Sequence, residues 1–357
     1  LNLQQLGWCA DTSTAAAFAS FAAAGFCLGR VALEHRDAYR IYTEWGEIPG
    51  RLTGQFRHQA KSSLDFPAVG DWVVLQLHNQ NTEATIHHCL PRRSQFVRKV
   101  AGDQTAGQVV AANVDTLFLM VGLDGDFNPR RIERYLVMAW ESGANPVLVL
   151  NKADLCPDVE HRRVDLDAIA LGVSVHAISA ASGQGIDQLA PYLLPGQTVA
   201  LVGSSGVGKS TLTNSLLGTQ QQTVQAVRAD DSRGRHTTTH RHLLLLPSGA
   251  LLIDTPGMRE LQLWSAPEGL DDTFPEVEAL AAQCKFRDCQ HQNEPGCAVQ
   301  AAIASGQLDG KRLRSFQKLQ KEQQWLEQRQ DIRAQVNAKR RWKQVTKPMR
   351  QRQRGKG

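Results

Sequence analysis

The spacing of hydrophobic positions changes along the chain and divides it. From about residue 35 to 106 the apolar residues come in short runs, Tyr39–Tyr42, Arg51–Arg57, Val69–Leu77 and Thr85–Cys89, separated by turns such as Trp45-Gly46-Glu47-Ile48-Pro49-Gly50. Short alternating runs bounded by Gly and Pro mark half-buried strands. Five or so of them within about 70 residues predict a small closed barrel of the OB-like or SH3-like kind, taken as OB-like. From Val109 the texture differs. Continuous apolar runs of strand length (Asp115–Val121, Pro146–Leu150, Val173–Ile178, Thr198–Val202) alternate with helical segments at Arg130–Trp140 and Ile186–Leu194, and a further helix starts at Gly208. That alternation predicts an α/β domain, a mostly parallel sheet with helices on both faces. Leu243–Leu246 and Ala250–Ile253 flank Pro247-Ser248-Gly249 and predict a hairpin. Past about Leu270 come a Cys/His cluster, a helix near Lys311–Val336 with a loose apolar stripe, and a Gln/Arg/Lys-rich end. The expected organisation is an Ala-rich N-terminal extension (1–34), a barrel (35–106), an α/β domain (107–270), and a zinc-binding helical module with a basic tail (271–357).

Composition sharpens this. With 42% hydrophobic and 21% charged residues the 357-residue chain can build real cores, which excludes disordered and collagen-like classes. The net charge of +5 is unevenly spread. Residues 311–357 hold 16 Lys and Arg against 3 Asp and Glu, so this end carries +13 and the remainder −8. An acidic body with a basic end fits a phosphate-rich partner. Thr12 to Gly29 runs 18 residues without a charge, long enough to raise a membrane span. It is mostly Ala, however, and Asp11 precedes it where a signal peptide would be basic, so a short helix ending near Gly25 is expected. Cys9, Cys27, Cys89 and Cys156 are scattered, whereas Cys284, Cys289 and Cys297 cluster around His291. That is the pattern of a metal site in a reducing compartment, and a soluble cytoplasmic protein is expected.

Three motifs carry chemistry. Gly203-Ser204-Ser205-Gly206-Val207-Gly208-Lys209-Ser210, followed by Thr211, matches the phosphate-binding P-loop between a strand and a helix. Its glycines let successive backbone N–H groups curl around an anion. Lys209 would reach the β- and γ-phosphates and the Ser210 hydroxyl would ligate Mg²⁺. Asp254-Thr255-Pro256-Gly257 follows an apolar strand. Asp254 there would hold the Mg²⁺ shell, and Gly257 would sense the γ-phosphate. Asn151-Lys152-Ala153-Asp154 ends the strand Pro146–Leu150. The Asp154 carboxylate can accept from both N1–H and the 2-amino group of guanine, a pairing that adenine cannot offer. Lys152 can lay its stem on the base, Asn151 can tie the base loop to the P-loop, and Ser179-Ala180 can bring a backbone N–H to guanine O6. Separately, Cys284-x4-Cys289-x-His291-x5-Cys297 supplies three thiolates and an imidazole, a full tetrahedral set for structural Zn²⁺.

These residues resemble the nucleotide-binding set of the Ras-like GTPases in a different order, with the base-reading elements ahead of the P-loop. That order is the mark of circularly permuted GTPases. With a small barrel before and a Cys/His cluster after, the chain resembles the ribosome small-subunit-dependent GTPase A family of bacteria across about residues 35–300. The resemblance implies a monomer that hydrolyses GTP with Mg²⁺, carries one zinc, and binds the small (30S) ribosomal subunit and its rRNA in late maturation, with subunit-stimulated hydrolysis. Gly234-Arg235-His236-Thr237-Thr238-Thr239 resembles that family's first switch. One of its threonines, taken as Thr238, would complete the Mg²⁺ shell. Met258 stands where many GTPases carry a water-orienting Gln, so His236 is the candidate for that catalytic role beside Lys209. Arg40, Tyr42, Arg57, Trp72, Arg92, Arg93, Arg98 and Lys99 in the barrel, and Lys339-Arg340-Arg341-Trp342-Lys343 in the tail, are candidates for RNA contact. An RNA-binding GTP switch with another target, and a plain P-loop ATPase, are the rival readings; Asp154 argues against the second.

Overall fold

Short polar turns and one buried arginine set the N-terminal half. The computed structural model describes residues 1–10, 13–35, 38–99, 107–125, 127–167, 169–218, 241–255, 267–292 and 294–328. The Ala-rich stretch forms helix α1 (Ser13–Ala23), after which Gly25 takes a positive φ and strand β1 (Cys27–His35) begins. β1 lies within the segment that the hydrophobic pattern assigns to an N-terminal extension. Arg30 hides it by interrupting the apolar run. This side chain is wholly buried, and its guanidinium donates to the carbonyls of Gly70 (3.1 Å), Leu6 (2.5 Å) and Asn113 (3.0 Å) beside the Trp72 ring. Burial lowers its pKa to about 10, so it stays charged at neutral pH. The three acceptors satisfy a group that would otherwise be costly to bury.

The barrel continues with β2 (Ala38–Thr43), β3 (Gly46–Leu52), α2 (Gly54–Gln59), β4 (Trp72–His78) and β5 (Glu83–Cys89). The stretch expected as the turn Trp45–Gly50 is largely strand, and the run from Arg51 bends into α2 because Thr53 caps Phe56 N–H. The strand order β1-β2-β3-β5-β4, with β1 also pairing β4 and β3 parallel to β5, closes the five-stranded barrel. The hairpin β6 (Gln95–Lys99) and β7 (Gly107–Ala112) links it to the α/β domain.

That domain comprises β8 (Thr116–Gly122), α3 (Pro129–Glu141), β9 (Asn145–Asn151), α4 (Val159–Asp167), β10 (Ser174–Ala177), β11 (Thr198–Gly203), α5 (Lys209–Leu217), β12 (His242–Leu245) and β13 (Leu251–Asp254). Its sheet runs β10-β9-β8-β11-β13-β12, parallel except for β12, which forms the expected hairpin with β13. Residue alternation splits the core. Leu117, Leu119, Leu148 and Val202 face α3, while Phe118, Met120, Val149 and Leu201 pack with Leu212 of α5. β12 meets β1 at Leu33↔His242, so barrel and α/β strands form one eleven-stranded sheet.

The C-terminal module comprises α6 (Pro267–Thr273), α7 (Pro275–Ala281), α8 (Ala298–Ala304) and α9 (310–328), whose expected continuation to Val336 lies outside the described residues. It docks on α3. A Cβ at Gly269 would fall 2.2 Å from the Val137 carbonyl, so a side chain there would push α6 off α3. Arg312 of α9, 6% exposed, binds Glu133, Glu276 and the Thr273 carbonyl, and Arg134 forks onto Glu322 with both bonds at 2.8 Å. Leu313, Phe316, Leu319 and Leu326 join the main core.

Candidate functional site

Parallel strands carry their loops to one edge, and ligand sites of open α/β sheets form outside the carboxyl ends of the strands. There β11 turns through Gly203–Ser210 into α5. Gly206 and Gly208 have φ of 79° and 103°, which a side chain would strain, and a Cβ on Gly208 would also strike Asn151 Nδ2. Gly203 packs so closely on β8 that its Cβ would lie 2.6 Å from the Met120 carbonyl. Lys209 is 7% exposed, and its ammonium spans the loop, donating to the carbonyls of Gly203 (2.8 Å) and Ser204 (2.7 Å). Ser204, Ser205, Ser210 and Thr211 are less buried than Val207 and Lys209. Asp254, fully buried, ends β13 beside this loop, and the Thr255 hydroxyl donates to the Leu201 carbonyl at 2.5 Å, fixing the end of β13 to β11.

The base-reading residues meet the P-loop through Asn151. Its side chain is 2% exposed; Nδ2 donates to the Val207 carbonyl at 2.8 Å, and Oδ1 accepts from Ala180 N–H at 2.9 Å. One buried amide thus joins three segments far apart in sequence. Lys152 adopts φ 66°, and its ammonium contacts the Asp124 carboxylate at 2.5 Å. Asp154 is exposed, in the turn that follows β9. Ser179 is fully buried and its hydroxyl accepts from Ser182 N–H, shaping the loop that presents Ala180. No motif marks Asp124; only its place in the loop after β8 brings it to Lys152. His236, Thr237, Thr238, Thr239, Gly257 and Met258 lie outside the described residues.

In the C-terminal module the donor atoms of Cys284, Cys289, His291 and Cys297 all lie within 4.8 Å of one another. Tetrahedral zinc with ordinary bond lengths would set sulfurs about 3.8 Å apart and a sulfur about 3.6 Å from a ring nitrogen. Cys284 and Cys297 sulfurs are 3.9 Å apart, and they stand 3.6 and 3.5 Å from His291 Nδ1. Three thiols and an imidazole are complete in number, and the edges joining Cys284, Cys297 and His291 are already at tetrahedral lengths, so the residues fit zinc. Gln300 holds the His291 carbonyl at 2.6 Å, and His291 itself takes φ 55°. Burial pushes the Cys284 thiol up, but hydrogen bonds from the Val299 and Ala298 backbone and from neighbouring thiols bring it below the usual value. Lys285, Phe286 and Arg287 are exposed on the loop between the first two cysteines.

The barrel corrects part of the expected basic and aromatic face. Trp72 is 3% exposed and belongs to the core, stacked edge-on with Trp8. Arg92 is bound to the buried Asp71 at 2.7 Å and to the carbonyls of Leu64 and Phe66. Tyr42 turns its hydroxyl to the Leu243 carbonyl. Arg93 pairs with Asp115, and Arg98 is half-buried beside Gln108. Arg40 and Arg57 are exposed. Sequence cannot distinguish an arginine spent on a buried carboxylate from one left to solvent.

A family model described as RsgA GTPase matches residues 89–264. A model described as ABC transporter matches residues 186–353, a stretch that includes Gly203–Ser210; no helix among the described residues is long and apolar enough to cross a membrane. The chain is 49% identical over 366 aligned positions to the small ribosomal subunit biogenesis GTPase RsgA of Opitutus terrae, covering 100% of this chain and 99% of that one. It is 48% identical over 330 positions to small ribosomal subunit biogenesis GTPase RsgA 2 of Lactiplantibacillus plantarum, covering 92% and 93%. Among solved structures, YjeQ from Thermotoga maritima aligns with a TM-score of 0.62 at 29% identity over 84% of this chain and 98% of that one. YloQ, described as a circularly permuted GTPase, aligns with a TM-score of 0.59 at 25% identity over 84% and 95%.

Proposed function

The chain belongs to the RsgA GTPase family, and on that premise we propose that it hydrolyses GTP on the small ribosomal subunit and assists the late maturation of that subunit. The observation that carries the nucleotide reading is the Asn151 amide, which holds the P-loop at Val207 and the base loop at Ala180 as one site. Asp154 accepts from guanine N1–H and the 2-amino group, and the Ala180 loop meets O6. The backbone N–H groups of Gly203 to Thr211 surround the phosphates at the start of α5. Lys209 takes up charge on the β- and γ-phosphoryl oxygens as water attacks, GDP and phosphate being the products. His236 orients that water.

Ser210 and Asp254 are hard oxygen donors at the γ-phosphate end of the site, where Thr238 would add a third donor and Gly257 would sense the γ-phosphate. These donors would hold a Mg²⁺ ion, whose charge would offset that of the phosphates. Cys284, Cys289, His291 and Cys297 would hold one structural zinc and through it tie down the loop of Lys285 and Arg287. These two residues, the barrel's Arg40 and Arg57, and the basic tail supply cations for the rRNA backbone. The protein works as a cytoplasmic monomer.

The test is GTP hydrolysis with and without purified small subunits in moderate salt, with Lys209→Ala as the control for contaminants. Stimulation by small but not large subunits is the expected result. Turnover indifferent to subunits would remove the ribosomal role, and ATP turnover equal to that of GTP would remove the guanine reading.

A further inference from the structure

The strand ladders of the barrel and the nucleotide domain meet on a single rung of backbone. Leu33 of β1 lies opposite His242 of β12, and His242 lies opposite Asp254 of β13. The barrel strand, the returning strand and the residue at the γ-phosphate end of the site are therefore consecutive neighbours. Side chains lock this rung from the barrel side. Arg241 pairs with Glu34 at 3.8 Å across the β1–β12 ladder and donates to the Val109 carbonyl of β7 at 3.4 Å. The Tyr42 hydroxyl of β2 donates to the Leu243 carbonyl at 3.0 Å. Three barrel-side elements thus grip a strand of only four residues.

The grip is buried and electrically lopsided. The Arg241 and Glu34 side chains are 12% and 27% exposed. Arg98 of β6 adds a second guanidinium close enough to disfavour the charge on Arg241, after burial and against Glu34. The Nε groups of both arginines are buried without an acceptor among the described residues. Glu34 is the carboxylate that Arg241 meets, so removing it leaves a largely buried guanidinium beside a second one, and removing Arg241 strips the partly buried Glu34 of its partner; either change weakens this joint. Arg241 is also where the chain returns from residues 219–240, the stretch whose sequence carries His236 and Thr238.

We propose that Arg241 is a positioning residue: held by Glu34 on the barrel, it fixes the rung that ends in Asp254 and so sets the preference for nucleoside triphosphate over diphosphate. The inference rests on the guanine-nucleotide reading above. The base and the inner phosphates are served by β9, β10 and β11, none of which is a hydrogen-bonded neighbour of β12. The outermost phosphate and its cation are served by Asp254. Loosening the rung therefore weakens the triphosphate complex and spares the diphosphate complex. An ion pair that merely stabilised the fold would lower the melting temperature and leave the ratio of the two affinities where it was.

The experiment uses the full chain and measures equilibrium binding of fluorescent GDP and of a fluorescent non-hydrolysable GTP analogue, both with Mg²⁺. Arg241→Gln and Glu34→Gln should each keep the Kd for GDP within twofold and raise that for the analogue at least fivefold. Arg241→Lys, which can still meet Glu34, should recover half or more of that loss. Tyr42→Phe removes only the hydroxyl tie to Leu243; it should show the same pattern at about twofold and decides the matter if the charge variants do not fold. Equal shifts in both affinities, or none, would overturn the positioning role. A wild-type chain that binds neither nucleotide would instead remove the reading beneath it.

Discussion

Replacing Arg312 by Met would release the C-terminal module from the nucleotide domain. The guanidinium donates to Glu133 at 2.9 Å, to Glu276 at 2.6 Å and to the Thr273 carbonyl at 2.5 Å, and it stacks 4.1 Å from the Phe274 ring centre. Glu133 is 4% exposed, and the second oxygens of Glu133 and Glu276 have no hydrogen-bond partner among the described residues. Without the arginine, Glu133 becomes a buried charge with no compensation, a change worth about 3–5 kcal/mol. Loss of the stacked cation adds about 1 kcal/mol. Amide exchange in α7, α8 and α9 reports that free energy, since each 1.4 kcal/mol is about a tenfold change in the opening equilibrium. The expected acceleration is roughly three to four orders of magnitude in these helices, with β8 and β9 little changed. Adding Glu133→Leu should recover about half of it, because Glu276 is 27% exposed and can be hydrated. An acceleration below tenfold, or a double variant worse than the single one, would refute the view that buried charge pairing holds the module.

Asn151→Ala removes both bonds that join the P-loop to the base loop; binding of GDP and of a GTP analogue, measured by calorimetry, should weaken together by about 2 kcal/mol, roughly thirtyfold. Affinity unchanged for either nucleotide would contradict the assignment. Cys289→Ser should bring metal analysis from about one zinc per chain to below half and accelerate exchange over residues 282–300 while the far-ultraviolet spectrum stays nearly constant. His87 packs against Phe26 at 5.0 Å with Nε2 buried and unpartnered among the described residues, and burial, then His88 and His78, lower its pKa. The unfolded chain then takes up the proton first as pH falls below about 6.5, so stability is lost from there down to the folded value. Melting temperature should drop between pH 7 and 5, and less steeply in His87→Phe; parallel pH curves would dismiss His87 as the cause.

The parallel sheet was the most legible part of the chain, because β8, β9 and β11 are buried on both faces and spell continuous apolar runs. The hairpin of β12 and β13 announced itself through Pro247-Ser248-Gly249. β1 did not, since Arg30 breaks its pattern and only three distant carbonyls make that burial tolerable. Motif residues were legible at the P-loop, where spacing alone encodes geometry, and at the cysteine cluster, where donor chemistry does. Asp124, Arg241 and Arg312 were not. Each owes its role to a partner between 28 and 207 residues away, and nothing local distinguishes it from a solvent-exposed charge.

The strand order also prescribes an order of assembly. β1 completes the barrel by pairing with β4, and β8, β9 and β10 lie side by side in the sequence in which they are synthesised. Both units reach low-contact-order structure before the phosphate loop exists. The seam between them waits for His242, about 200 residues after Leu33. A nascent chain therefore carries a finished barrel and half a sheet already tied together by Arg30 on the Asn113 carbonyl and Arg93 on Asp115, and the final hairpin adds the ladder that makes them one sheet.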